Sequence, residues 1–160
     1  MKMIKKLSID KPIEEVWEVL GSQFGEIDKW SSLISHSEVS GEAKIPGLNY
    51  SIRSTKTTGG DTKQELTGFD PTKYMIAYKA LTGFPGFIKA IDAEWNLTKI
   101  NEQSTNLVLD FNVNFKGLGV ILTPIVKSKF GKTGDILLDD MKYYIENGKP
   151  HARKAAALKK

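Results

Sequence analysis

The sequence predicts an α+β fold: a curved antiparallel sheet of about seven strands wrapped around a long C-terminal helix, with two short helices after the first strand. Three observations carry that prediction. Apolar and polar residues alternate through much of the stretch from 34 to 115, the period of strands with one wet face. Turn residues cut that stretch at short intervals, at Pro46-Gly47, Gly59-Gly60 and Asp70-Pro71. After Thr123 the apolar period changes to that of a helix.

The elements follow in order. "MIKKLSI" (3–9) carries Ile4, Leu7 and Ile9 and reads as a strand. Asp10 or Lys11 then caps a helix whose first turn accepts Pro12, because no intrahelical partner exists there for an N–H. Ile13, Val16, Trp17 and Leu20 form one apolar stripe, and Gly21 ends it. A second short helical stretch lies around 24–33. Six strands follow, over 34–41, 48–57, 62–69, 73–81, 87–100 and 105–115. The last is cleanly period-two, with Leu107, Leu109, Phe111, Val113 and Phe115 opposite Asp110, Asn112 and Asn114. The final helix runs from Thr123-Pro124, with Thr123 as cap, to the stop at Gly148-Lys149-Pro150. Its stripe is Val126, Phe130, Leu137, Met141 and Ile145, and the concave face of the sheet is its natural partner.

A chain of 160 residues predicts one domain over 1–148, followed by a basic tail over 149–160. The charge of +4 suggests nucleic acid only until it is located. The tail holds five Lys and Arg and no acid, leaving 18 basic against 19 acidic residues elsewhere. A near-neutral body has no phosphate-binding field, so no nucleic-acid partner is expected. The tail reads as a solvated, partly helical extension, with contact to an anionic membrane or an acidic partner as its alternative use. Cysteine is absent, which removes disulfides, thiol nucleophiles and cysteine metal sites together. With neither a long apolar run nor the apolar core of a signal peptide in "MKMIKKLSID", the expected location is the cytoplasm.

The order of these elements, with "IDKPIEEVWEVLGSQFGEIDKW" near the start, resembles the SRPBCC superfamily of helix-grip folds. Its members include START lipid-transfer domains, the birch-pollen allergen, plant abscisic-acid receptors and the polyketide cyclase/dehydrase and lipid-transport group, to which this chain is most similar. The resemblance covers nearly the whole chain. It rests on Pro12, Val16-Trp17 and Trp30, on Arg53 seven residues before Gly60, on Glu65 five before Asp70-Pro71, and on Pro85 before the strand carrying Trp95. It implies a cavity between sheet and long helix that holds an apolar or amphipathic small molecule, without a cofactor.

Ile76, Tyr78, Trp95, Leu109 and Phe111 take inward positions if the alternation holds, facing Phe130, Leu137 and Met141 on the helix. Gly131 and Gly134 each cost about 1 kcal/mol in a helix interior relative to Ala. Their presence suggests bulk removed over a cavity. Arg53 and Glu65 are the polar pair of interest. A three-residue turn at 58–60 would set them directly opposite each other on one face, and the resemblance implies that both point inward. The local pattern argues otherwise, since Leu48, Tyr50, Ile52 and Leu66 have the opposite parity. "TGFPGF" (82–87), with Phe84 and Phe87, suits either a hydrophobic flap over a cavity mouth or an ordinary turn.

Sharper signals fail. "FGKT" (130–133) lacks the first glycine of a phosphate loop, and His36 and His151 are isolated. Asp135, Asp139 and Asp140 read as the solvated face of the long helix, so no metal site is expected. Three functions stay open. The first is binding or carriage of a lipid, polyketide-like or isoprenoid molecule by a monomer or weak dimer. The second is a cyclase or dehydratase in which Arg53 or Tyr78 polarises a carbonyl and Glu65 moves a proton. The third is a lipid or quinone chaperone that docks on membranes through its basic tail.

Overall fold

Alternation between residues 34 and 115 becomes a continuous sheet in the computed structural model of the chain, which describes residues 1–157. The strands are β1 Lys2–Ile9, β2 Ile34–Ser40, β3 Ile52–Thr57, β4 Gly60–Asp70, β5 Met75–Thr82, β6 Ile88–Asn101 and β7 Ser104–Phe115. All pairings are antiparallel, in the order β1-β7-β6-β5-β4-β3-β2. β2 through β7 form a meander, and β1 adds at the β7 edge with Leu7 opposite Leu107.

Helix α1 (Ile13–Trp17) buries Ile13, Val16 and Trp17, then passes into a π-turn over Glu18–Ser22 and 3₁₀ turns over Phe24–Lys29. Neither Asp10 nor Lys11 caps it. Pro12 itself holds the cap position, and its carbonyl accepts from the N–H groups of Glu15 and Val16 at 3.1 and 3.2 Å. The strand expected from residue 48 starts only at Ile52; residues 41–51 are irregular and lay Ile45, Leu48 and Tyr50 against the core.

Helix α2 (Thr123–Asn147) lies across the concave face and ends at Gly148, whose φ of 67° is the left-handed stop expected there. Thr123 does not cap it; its hydroxyl donates back to Val120 O at 2.6 Å. The two halves of α2 differ. The C-terminal half buries Leu138, Met141 and Ile145 in the main core, with Ile76, Trp95 and Leu107 beneath. The N-terminal half covers a second, aromatic cluster around Ile88, Ile91 and Val113, where Phe130 stacks on Phe111 at 5.2 Å. Ile88 and Ile91 both point inward despite opposite parity because a bulge between Ile88 and Ala90 shifts the strand by one residue.

Two expectations about charge are corrected. Asp140 is not on a solvated face. It is fully buried and accepts from Ser32 N at 2.7 Å, Ser32 Oγ at 2.6 Å and Arg153 Nε at 2.5 Å. The tail is correspondingly not a free extension over its described part: α3 (Ala152–Ala157) folds back on the body. Arg153 spans Asp139 and Asp140, and buried Lys154 donates to Ile34 O. Leu158, Lys159 and Lys160 lie outside the described residues. No helix among the described residues is long and apolar enough to cross a membrane.

A buried carboxylate stripped of its cation is costly, which gives a prediction. Removing residues 149–160 lowers unfolding stability by about 3 kcal/mol in urea titrations, the scale for a broken buried pair. Asp140→Asn costs a similar amount, and combining the two costs clearly less than their sum, because both remove one interaction. An unchanged midpoint on truncation would show that the tail is not part of the fold.

Candidate functional site

The site begins with a register. Thr57 pairs with Gly60 across a two-residue turn, Thr58-Gly59, which sets Arg53 opposite Gln64 and Ile52 opposite Glu65. The expected three-residue turn would have paired Arg53 with Glu65. One residue of slip sends the two side chains to opposite faces. Arg53 points inward and is 3% exposed; Glu65 points outward. There Glu65 pairs with Lys44 at 2.5 Å and Lys79 at 2.7 Å, which hold its carboxyl down to about 2. Glu65 is therefore withdrawn from the site, both as Arg53's partner and as a proton carrier.

Arg53 sits under the meander with no carboxylate beside it among the described residues. Its Nε and Nη2 donate to Gln64 Oε1 at 2.9 and 2.6 Å, and Nη1 donates to Phe24 O at 2.7 Å. The guanidinium lies 3.6 Å from the centre of the Phe24 ring and 5.5 Å from that of Tyr78. Burial pushes its pKa down to about 10, with the Tyr78 and Tyr50 hydroxyls opposing, so it stays cationic at neutral pH. Ring faces and neutral acceptors thus solvate a full charge in the interior. Burial raises the pKa of Tyr50, and the Arg53 charge opposes that shift. Two buried polar groups nearby, the Trp30 indole N–H and the Tyr50 hydroxyl, have no hydrogen-bond partner among the described residues.

Arg53, Tyr78, Trp95 and Leu137 share a cavity with Phe24 and Trp30, and Val19, Leu20, Gln23 and Ile27 complete its wall. Its volume is about 20 Å³, room for roughly one water molecule, against the several hundred Å³ of a site for a drug-sized ligand. The other expected lining residues are elsewhere. Ile76, Leu109 and Met141 are packed into the main core. Phe84, Phe87, Phe111 and Phe130 belong to the aromatic cluster under the N-terminal half of α2. Gly134 removes no bulk from the cavity: a Cβ there would meet Lys5 Cε at 2.9 Å, so the glycine lets the lysine's methylenes cross the helix. Around Gly131 a Cβ would meet nothing within 4 Å.

Sequence reasoning missed Gln64, Phe24 and the wall from the π-turn and 3₁₀ segment. Gln64 was legible in principle, from a two-residue turn within "TTGG". Phe24 was not, because its contribution is a backbone carbonyl and a ring face set by the tertiary path.

No curated protein matches the chain. Among solved structures it is similar to a START superfamily protein from Mycobacterium smegmatis, at 17% identity and a TM-score of 0.74 over 92% of this chain and 99% of that one. It is similar to the Zhui aromatase/cyclase from Streptomyces sp. R1128, at 15% identity and a TM-score of 0.65 over 94% and 99% of the two chains. Norcoclaurine synthase from Thalictrum flavum, in a point mutant bound to a transition-state analogue, gives 11% identity and a TM-score of 0.68 over 91% and 93%. At these identities the likeness is one of fold: the curved sheet, the long C-terminal helix and their order are common to all. The model of one family, described as polyketide cyclase/dehydrase and lipid transport, matches residues 5–146. The chain thus belongs to the polyketide cyclase/dehydrase and lipid transport family, with the helix-grip architecture of START-like proteins.

Proposed function

We propose that the protein binds and carries a hydrophobic or amphipathic small molecule, of lipid, polyketide-like or isoprenoid type, whose polar end meets Arg53. One observation carries this reading: a buried guanidinium, charged at neutral pH, faces a cavity and has no carboxylate partner among the described residues. A charge held without its counter-ion is a standing cost to the fold, and such groups concentrate at functional sites. Arg53 keeps part of its donor fork uncommitted, and the Trp30 N–H on the same wall is a second unused donor. Donors of that kind suit an oxygen-bearing end, a carboxylate or a carbonyl, with the rest of the ligand against Phe24, Tyr78, Trp95 and Leu137.

The family's description joins cyclase/dehydrase catalysis with lipid transport. Carriage is favoured because the cavity wall contains no carboxylate and no imidazole to move a proton. The small cavity makes this a closed form, and uptake requires Leu137 and the aromatic contacts of α2 to move.

Two measurements test the reading. Arg53→Met weakens binding of a long-chain fatty acid by roughly 10- to 100-fold, the loss expected for hydrogen bonds to a charged group. Binding of the alcohol of equal chain length changes little, and Glu65→Gln changes neither. Equal losses for acid and alcohol would reduce Arg53 to a structural part of the wall. Leu137→Trp abolishes uptake of an apolar fluorescent probe, whereas Gly134→Ala leaves it intact. A wild-type protein that takes up neither fatty acid nor probe would end the proposal.

A further inference from the structure

We propose that the 3₁₀ segment Gly117–Leu122 and the first two turns of α2 form a docking surface for an anionic lipid bilayer. Leu118, Ile121 and Ile125 are 81%, 70% and 68% exposed, while the exposed apolar residues of the strands, such as Ile4, Val39 and Ile100, stand apart from one another. Three large aliphatic side chains within eight residues make a projecting apolar tip. Lys116, Lys127, Lys129 and Lys132 flank it, all exposed and without an acidic partner among the described residues. From Phe111 to Gly134 the sequence holds these four lysines and no acid. On α2, Ile125, Lys129 and Lys132 fall at i, i+4 and i+7 on one face, beside a shallow groove that also includes Pro124 and Ser128.

The charge selects the occupant. A second copy docking symmetrically on this patch would bring eight lysines together, against strong repulsion. An anionic lipid surface meets the same lysines with opposite charge, roughly five-fold in partitioning for each, and its acyl boundary accepts the aliphatic tip. The C-terminal tail is the weaker candidate, because Arg153 and Lys154 are already committed to Asp139, Asp140 and Ile34 O. Position adds a use. Lys116 N donates to Phe87 O at 2.9 Å, so the tip is tied to the 82–87 loop and lies beside the aromatic cluster that closes the helix's N-terminal half. Docking would turn that end of the molecule toward the lipid. The surface itself does not depend on the carrier reading.

The test is co-sedimentation of the full chain with vesicles of phosphatidylcholine alone or with roughly one-third phosphatidylserine. Binding is expected only to the anionic vesicles and falls as salt is raised. Leu118→Ser with Ile121→Ser, and separately Lys129→Glu with Lys132→Glu, each weaken it at least ten-fold without moving the melting temperature. Absence of binding to anionic vesicles, or binding that both double variants leave unchanged, overturns the proposal. So does a dimer in sedimentation velocity that the Leu118/Ile121 double variant converts to monomer, since the patch would then belong to a second copy.

Discussion

One face of a seven-stranded sheet must be taken out of water, and α2 is the element long enough to cover it. A 25-residue helix spans roughly 37 Å, enough to cross all the strands of a curved meander. The short helical segments after β1 are too small to do this alone; they fill the corner between the sheet and the C-terminal half of α2. The covering is uneven. Leu138, Met141 and Ile145 are held in the main core, whereas only Val126 is buried in the first half of the helix. The grip is therefore tight at one end and aromatic and shallow at the other.

Arg53 is the exception inside that covered face. Its position follows from strand register, its solvation from Gln64, Phe24 and Tyr78, and its separation from Glu65 from the same register, which sends that carboxylate outward. Neutral acceptors take three of the five N–H groups of this cation and leave the others uncommitted inside the covered face. The outward Glu65 gains Lys44 and Lys79, and its stabilising share is present above the ordinary carboxylate range and lost as pH falls toward about 2.

Charge is similarly divided at the two ends of α2. At the C-terminal end Arg153 and Lys154 are consumed by Asp139, Asp140 and a backbone carbonyl, so the basic tail closes the fold. At the N-terminal end four exposed lysines stand around Leu118 and Ile121 without an acidic partner among the described residues. The net charge of residues 1–148, with 18 basic against 19 acidic residues, gives no sign of this partition, because acids elsewhere on the body balance the four lysines.

By itself the sequence determined what is periodic. Alternation in 105–115, helical spacing from Val126 to Ile145, and the turn residues between them specify strand, helix and order, because burial of one face imposes a period that local sequence records. Pro12 and Gly148 mark helix ends for equally local reasons of φ and hydrogen bonding. What only the tertiary structure decided depends on one-residue offsets and distant partners. A turn of two residues rather than three separated Arg53 from Glu65. A bulge near Ile88 turned two residues of opposite parity to the same side. Asp140 is buried because Ser32 and Arg153, 108 and 13 residues away, converge on it. Gly134 serves the chain of Lys5, 129 positions earlier, rather than a void. Register and long-range convergence leave no periodic trace in the chain, since each is set by which face the rest of the molecule covers.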